Sequence, residues 1–360
     1  MGALGWRETL GAYAGKRVFV TGHTGFKGTW LTMLLRDAGA TVRGFALPPE
    51  STPNHVTLLG PDRKMDHISG DIRDFAAVER AINEFRPDYV FHLAAQALVR
   101  RSYADPVSTI STNVVGSTHV MEAVRRCESV RAFVYITSDK CYENLEWVWG
   151  YRETDALGGH DPYSASKAAA EIVFSAYARS FFAQRPTLGA ATTRAGNVIG
   201  GGDWAADRIV PDIVRAITAG EPVRLRNPRA TRPWQHVLEP LGGYLMLGAY
   251  LHAEPTRYRG AWNFGPTTQK VRTVHEVTNT IIEHLKRGSV ELSPDTSGPH
   301  EAHLLQLNCD KAHQELGWYP RWDVDQTLTA TAGWYGAVLG GESAESVTRR
   351  QIREYFPELT

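Results

Sequence analysis

The chain has 360 residues, of which 42% are hydrophobic and 22% are charged, and its formal net charge is zero. This composition supports a sizeable folded core and excludes an extensively disordered chain. The absence of a basic excess argues against a general nucleic-acid-binding protein. No apolar run reaches the length of a membrane span, and residues 1–15 lack the pattern of a secretory signal peptide. We therefore expect a cytoplasmic protein with no nucleic-acid or membrane partner.

The cysteines and histidines give no sign of a metal site. Cys127, Cys141 and Cys309 are far apart in the chain and do not have metal-binding spacing. An odd number of scattered cysteines is typical of reduced thiols in a cytoplasmic protein. The 13 histidines are also scattered, and none forms a paired metal-binding motif.

A glycine-rich turn near the amino terminus is the strongest local signal. A β-rich run over 17–21 stops at Gly22, and Gly25 and Gly28 follow at intervals of three. An apolar helical pattern then begins near Trp30. Bare glycine backbone and the free N–H groups of a helix N-terminus suit a pyrophosphate. The order strand, turn, helix therefore predicts a dinucleotide site rather than an ordinary glycine-rich turn.

The next part of the chain alternates strands and helices. Strands are predicted at 41–47, 67–74, 87–96 and 130–138, and helices at 75–85 and 106–128. This alternation predicts an α/β fold with a doubly wound parallel sheet of the Rossmann type and helices on both faces. The second strand is not followed by the acidic residue that often holds the adenosine ribose, so the choice between NAD and NADP stays open. Asp71 is predicted to lie at the carboxyl end of the third strand.

Two polar segments are candidate catalytic groups. The predicted strand 130–138 runs into polar residues over 137–144, where a capped loop is the simpler alternative. Tyr163 and Lys167 are four residues apart at the start of a predicted helix and share one face. An ammonium near a phenol is expected to lower the phenol pKa from about 10, which would make Tyr163 a usable base.

The second half of the chain has no dinucleotide motif of its own. A glycine-rich loop over 194–204 precedes a predicted helix at 205–219 and a basic run over 224–232. Clustered arginines beside Trp234 suit a phosphate-bearing ligand, although a solvated basic face remains open. Further helices are predicted near 237–251, 273–287, 310–316 and 324–340. We expect an NAD-binding domain over 1–193 and a smaller α/β substrate lobe over 194–360, with some segments returning to the first domain.

The glycine turn, Asp71 and the Tyr163–Lys167 pair together resemble the extended short-chain dehydrogenase/reductase family of nucleotide-sugar enzymes, over about 16–335. Within that family, segments 23–28, 137–142 and 232–237 are similar to the CDP-glucose branch of the 4,6-dehydratases. Lys140 stands where most such dehydratases carry glutamate.

The resemblance implies the conversion of CDP-D-glucose to CDP-4-keto-6-deoxy-D-glucose for deoxysugar biosynthesis, with NAD reduced and reoxidised in each turnover. It implies Tyr163 as the base at the C4 hydroxyl, Lys167 as its partner, and Ser138 as the hydrogen-bond donor to the C4 oxygen. Asp139 would be the acid at C6 and would have to carry a proton. Lys140 would be the base at C5 and would have to be neutral.

By the same resemblance, cofactor contacts are expected from Gly22, Thr24, Gly25, Phe26, Lys27, Gly28, Asp71, Ile72, Leu93, Ala94, Ala95, Gln96, Thr137, Tyr163 and Lys167. Contacts with the CDP-sugar are expected from Asn197, Arg208, Arg232 and His236. The family implies a homodimer, or a tetramer built from dimers, through helices near 106–126 and 163–183.

Two other functions remain open at this point. A nucleotide-sugar 4-epimerase or reductase would use the same turn and the same Tyr163–Lys167 pair, but it needs no elimination acid and base. A non-catalytic dinucleotide sensor that binds a partner protein could lose Tyr163 or Lys167 without penalty, whereas both are present.

Overall fold

The fold is built on one twisted parallel sheet. The computed structural model describes residues 4–60, 65–225, 227–266, 271–292 and 304–359. The strands are Arg17–Thr21 (β1), Thr41–Ala46 (β2), Asp66–Ser69 (β3), Tyr89–His92 (β4), Ala132–Ile136 (β5), Gly189–Arg194 (β6), Val198–Ile199 (β7), Val223–Leu225 (β8), Thr231–Arg232 (β9), Gln235–His236 (β10), Gly260–Asn263 (β11), Arg272–Thr273 (β12) and Val290–Leu292 (β13).

Helices cover both faces of this sheet. They are Trp6–Gly11 (α1), Phe26–Asp37 (α2), His55–Leu58 (α3), Phe75–Phe85 (α4), Val99–Ala104 (α5), Pro106–Ile110 (α6), Ser117–Arg126 (α7), Pro162–Ser180 (α8), Ile209–Ala219 (α9), Leu238–Ala253 (α10), Val274–Leu285 (α11), Val324–Leu339 (α12) and Ala344–Tyr355 (α13). Short 3₁₀ turns lie at Asp139–Cys141, Phe182–Gln184 and Pro357–Leu359, and π-helical turns at Ser111–Gly116 and Ala312–Leu316. No helix in the described ranges is long and apolar enough to cross a bilayer.

The main sheet has seven strands in the order β11-β6-β5-β4-β1-β2-β3, and every neighbouring pair is parallel. The order 3-2-1-4-5-6 is that of a doubly wound fold, in which ligands bind where the strand order reverses, here between β1 and β4. The predicted fold class is therefore confirmed. β11 comes from the second half of the chain and pairs with β6, whereas the division of domains at residue 193 stays a prediction.

Alternating side chains divide the core between the two faces of the sheet. In β1, Val18 and Val20 belong to one buried cluster and Phe19 to the other. Successive strand residues point to opposite faces, so a strand that is apolar on both sides must be covered on both. The apolar runs of β1, β4 and β5 therefore require the two helical layers.

Most predicted elements are present, with differences at their ends. The strand 17–21 and the helix 75–85 have the predicted bounds. The predicted strand 67–74 ends at Ser69, so Asp71 lies in the following turn. The predicted helix 106–128 is interrupted by the π-helical turn. Neither α1 nor α13 was predicted.

Candidate active site

The glycine turn after β1 is shaped by close backbone contacts. Gly22 has a φ of 73°, and a Cβ added to it would lie 2.6 Å from the backbone nitrogen of Ala94. A Cβ at Gly28 would lie 2.1 Å from the carbonyl oxygen of Gly22. Helix α2 begins after Gly25 without a side-chain cap. The free N–H groups of its first turn therefore lie at the strand-order reversal, where they fit a pyrophosphate.

The side chains of this turn have different environments. The Thr24 hydroxyl donates to the carbonyl oxygen of Leu47 at 2.9 Å. The Phe26 ring is close to Gly200, because a Cβ there would lie 3.3 Å from Cζ. Burial, and then the charge of Arg208, lower the pKa of Lys27 to about 8. Lys27 thus extends from the turn toward Arg208, Asp139 and Asp203.

The predicted adenine-side residues lie together after β3. Two nitrogens of Arg73 donate to Asp71, the shortest contact being 2.6 Å. These hydrogen bonds lower the pKa of Asp71, so the group is ionised at neutral pH. Ile72 is buried, and it packs so closely on Gly116 that a Cβ there would lie 2.8 Å from Cγ1.

The residues after β4 are tied to helix α8 by Asn113. The backbone N–H of Gln96 donates to Oδ1 of Asn113 at 2.8 Å, and Nδ2 of Asn113 donates to the carbonyl oxygen of Gln96 and to Oγ of Ser166. The segment from Leu93 through Ala94 and Ala95 therefore has a fixed position at the carboxyl edge of the sheet. Its small side chains leave the backbone open beside Gly22.

The catalytic candidates after β5 form a tight turn. Oγ of Ser138 donates to Oδ1 of Asp139 at 2.9 Å and accepts from the backbone N–H of Lys140 at 3.2 Å. Ser138 and Asp139 are buried, whereas Lys140 is half-buried. Gly196 covers the Asp139 carboxylate, since a Cβ added to Gly196 would lie 1.7 Å from Oδ2.

Tyr163 and Lys167 lie on the buried face of α8, next to this turn. Asp161 caps the helix by accepting from the N–H of Ser164 at 3.0 Å, which fixes the first helical turn. The Ser138 side chain lies close enough to the Tyr163 phenol to lower its pKa. Nζ of Lys167 is 5.9 Å from the centroid of the Tyr163 ring. The structure therefore brings Ser138, Tyr163 and Lys167 together as predicted.

The expected lowering of the Tyr163 pKa is wrong in this structure. Burial raises the pKa of Tyr163 to about 12, against the opposing effect of the nearby Ser138 side chain. Burial also lowers the pKa of Lys167 to about 8, so its ammonium form loses its proton more readily than an exposed lysine does. Desolvation is the largest cause of both shifts, and sequence spacing cannot show it.

A buried ion pair behind the site was missed. Glu171 accepts from Arg194 at 2.9 Å, from Thr137 at 2.5 Å and from Thr192 at 2.8 Å. Thr137 thus uses its hydroxyl within the protein. Arg194 also donates to the hydroxyl of Tyr142 at 2.8 Å. This network joins α8 to both ends of the turn 138–141, and the position of Glu171 four residues after Lys167 was the signal that could have indicated it.

Two of the four predicted substrate residues lie at the site. Asn197 has a φ of 52° and lines a cleft beside Asp139. Arg208 donates to Asp203 at 2.9 Å, and the charge of Asp203 raises the pKa of Arg208. Tyr163 is among the groups that interact electrostatically with Arg208, so the guanidinium is near the Tyr163 phenol. The partner Asp203 was not predicted.

The other two substrate candidates are placed differently. The His236 ring is fully buried against Trp30 and Trp322, and burial lowers its pKa to about 3, so it is neutral. It is not among the cleft-lining residues. Arg232 is half-buried on β9 and donates to the carbonyl oxygen of Thr231 at 2.8 Å. Their contacts with a substrate stay predictions.

Comparisons with known proteins agree with this arrangement. The family model described as GDP-mannose 4,6 dehydratase matches residues 19–331. A CDP-glucose 4,6-dehydratase from Salmonella typhimurium is 46% identical over 352 residues, which cover 97% of this chain and 98% of that protein.

Solved structures show the same fold. The epimerase Mth375 from Methanothermobacter thermautotrophicus superposes with a TM-score of 0.81 at 24% identity, covering 97% of each chain. A UDP-glucose 4-epimerase from Thermus thermophilus, solved in complex with NAD, has a TM-score of 0.75 at 26% identity, covering 89% of this chain and 98% of that one. Because the family model matches most of the chain, this protein belongs to the GDP-mannose 4,6-dehydratase family of extended short-chain dehydrogenases/reductases.

Proposed function

We propose that this protein is a 4,6-dehydratase that converts CDP-D-glucose to CDP-4-keto-6-deoxy-D-glucose with loss of water. The proposal is supported by one juxtaposition: the buried pair Ser138–Tyr163 lies beside the turn of buried Asp139 and half-buried Lys140. An oxidation base and an elimination acid and base are thus next to each other. The 46% identity to a CDP-glucose 4,6-dehydratase supports the choice of substrate.

NAD is the cofactor that the glycine turn fits. The cradle is backbone alone at Gly22 and Gly28, where a Cβ would collide with neighbouring backbone atoms, and the uncapped start of α2 faces it. Gly25, Asp71 and the segment after β4 would complete the contacts. When bound, NAD supplies the redox chemistry, accepting hydride from C4 of the sugar and returning it at C6.

The first task of the protein is to remove the C4 hydroxyl proton. Tyr163 in its phenolate form takes this proton. With substrate bound, the Ser138 hydroxyl turns its one hydrogen from Asp139 to the C4 oxygen. Lys167, when protonated, stabilises the phenolate next to it. The product of this step is the 4-keto sugar, whose carbonyl acidifies the hydrogen at C5.

The second task is elimination of water. Lys140 as the neutral amine takes the C5 proton, and protonated Asp139 gives its proton to the C6 oxygen as the C6–O bond breaks. The proton on Lys140 then returns to C5 when C6 is reduced. The proton that Tyr163 removed from the C4 hydroxyl balances the one that Asp139 gave to water, so the net change is loss of one water.

A 4-epimerase is the second candidate, since the Thermus thermophilus UDP-glucose 4-epimerase has the same fold at 26% identity. An epimerase returns hydride to C4 and changes no mass. The position of Asp139 and Lys140 beside Tyr163 argues against it, because an epimerase needs no elimination acid and base.

A parallel turnover assay tests the proposal. Protein with added NAD receives CDP-glucose, dTDP-glucose, UDP-glucose and GDP-mannose separately, and the products are analysed by mass. We expect loss of water from CDP-glucose. Loss from another sugar would overturn the substrate, and an isomer without mass change would favour the epimerase. Cofactor binding without any turnover would favour the sensor.

We further propose a homodimer in the cytoplasm. Large apolar side chains are exposed on α6 (Val107), on the π-helical turn (Val115) and on α8 (Ile172), at 78%, 47% and 57%. An exposed apolar face on adjacent helices suits association with a second copy. Light scattering with size exclusion tests the dimer against a tetramer.

The proposed location in the cytoplasm is compatible with the cysteines. All three are buried and unpaired, as expected in a reducing compartment.

A further inference from the structure

Gln235 is a buried amide in the cleft wall whose orientation is fixed by its neighbours. Gln235 lies on β10 and is 1% exposed. Its Nε2 donates to the carbonyl oxygens of Gly196 and Phe264, each at 3.0 Å. An amide nitrogen has two hydrogens to donate, and both are used here. Turning the amide over would set its oxygen against two carbonyl oxygens, so the assignment of Nε2 and Oε1 is secure.

The amide oxygen is left without a protein partner. Oε1 of Gln235 is buried and has no hydrogen bond within the part of the chain that the structure describes. Gln235 lines the cleft together with Asp139 and Asn197, and its backbone N–H donates to the carbonyl oxygen of Asn197. A buried acceptor without a donor is costly, and such atoms in folded proteins commonly meet a ligand or a water.

An unpaired amide oxygen does not identify a site by itself. Gln351 on α13 has the same pattern: it is 5% exposed, its Nε2 donates to the carbonyl oxygen of Ala330, and its Oε1 is unpaired. Gln351 is not among the cleft-lining residues, however. The location beside the elimination acid Asp139 is what distinguishes Gln235.

We propose that Oε1 of Gln235 accepts a hydrogen bond from a non-reacting hydroxyl of the hexose, and so helps to select the sugar. This inference rests on the proposed function. In a CDP-hexose, C1 carries the nucleotide, C5 carries the ring oxygen, and C4 and C6 react. The hydroxyls at C2 and C3 are the remaining donors. A site with a buried acceptor discriminates strongly against a sugar that cannot donate to it.

Binding of fluorinated sugars tests this contact. Fluorine in place of a hydroxyl keeps the size of the group but removes the proton that it donates. Dissociation constants are measured by calorimetry for CDP-glucose and for its 2-deoxy-2-fluoro and 3-deoxy-3-fluoro analogues. The proteins are the wild type, Gln235→Met and, as the matched control, Gln351→Met. Thermal melts show whether each variant is folded.

We expect one analogue to bind the wild type and Gln351→Met about tenfold more weakly than CDP-glucose. For Gln235→Met, this ratio should fall to within about threefold, because the acceptor is gone. If neither analogue binds the wild type more weakly, or if the penalty persists in Gln235→Met, the proposal is wrong.

The test remains decisive if Gln235→Met does not fold. A crystal structure of the wild-type protein with CDP-glucose then decides the contact. The C2 or C3 hydroxyl oxygen should lie within about 3.2 Å of Oε1 of Gln235, and the absence of any hexose hydroxyl at that distance would contradict the contact. Binding is measured without turnover. A failure of CDP-glucose to lose water would therefore overturn the proposed function without deciding the role of Gln235.

Discussion

The Cα of Gly196 lies directly against the carboxylate of Asp139, so that a Cβ at Gly196 would be 1.7 Å from Oδ2. The two residues follow β5 and β6, which are neighbouring parallel strands. The acid and the backbone that covers it are therefore placed by the sheet itself. Residue 196 has to be glycine for the carboxylate to keep this position.

Gly196→Ala should displace Asp139 and block elimination. We expect the rate of water loss to fall by at least about 10², the usual contribution of a positioned acid or base. Single-turnover oxidation of CDP-glucose, followed as NADH absorbance, should persist, because the atoms nearest to a Cβ at residue 196 belong to Asp139 and the oxidation base Tyr163 is retained. Gly333→Ala is the matched control, since nothing lies within 4 Å of a Cβ at that exposed helical position. Equal losses in the two variants would contradict the role of Gly196.

Ser138→Ala should move the pH profile as well as the rate. The Ser138 side chain next to the phenol lowers the pKa of Tyr163, which burial raises to about 12. Without it the pKa of Tyr163 rises further, so the phenolate is scarcer at any given pH. The acidic limb of kcat/KM should therefore shift to higher pH, and kcat should fall by about 10² with loss of a donor to the C4 oxygen. Ser175→Ala, on the exposed side of α8, serves as the control. An unshifted limb would count against this assignment of the base.

Lys140→Ala should separate the two halves of the reaction. The variant keeps the Ser138–Tyr163 pair, so some C4 oxidation should continue. Loss of the C5 base should lower water release by about 10² or more. Mass analysis of the product and NADH absorbance measure the two halves separately. Lys16→Ala is the control, because Lys16 precedes the amino end of β1 and so lies at the edge of the sheet opposite the site. Wild-type turnover by Lys140→Ala would show that another group is the base.

Glu171→Ala should destabilise the protein far more than Glu50→Ala. Glu171 and Arg194 are 3% and 4% exposed, whereas Glu50 is 65% exposed in its pair with Arg101. Removing Glu171 leaves the Arg194 guanidinium buried without its partner, at a cost of about 3–5 kcal/mol in the free energy of unfolding. The exposed pair contributes at most about 1 kcal/mol. Urea denaturation measures both. Similar values would show that the buried network does not stabilise the fold.

Features that are local in the chain could be predicted from the amino-acid order alone. The spacing of Gly22, Gly25 and Gly28 between a strand and a helix predicts the cofactor turn, because the turn's backbone shape depends on residues close together in the chain. The alternation of elements predicts the parallel sheet. The pair Tyr163–Lys167 is visible because helical spacing places both side chains on one face.

Which distant residues meet, and how burial alters them, depends on the packed fold. Gly196, Gln235 and Asp139 are brought into one cleft by β6, β10 and β5, whose ends are far apart in the chain. Desolvation, a property of the assembled core, raises the pKa of Tyr163 where spacing alone predicted a lowering. The same core buries the His236 ring and keeps it neutral. Local patterns specify elements, whereas packing decides contacts and charge states.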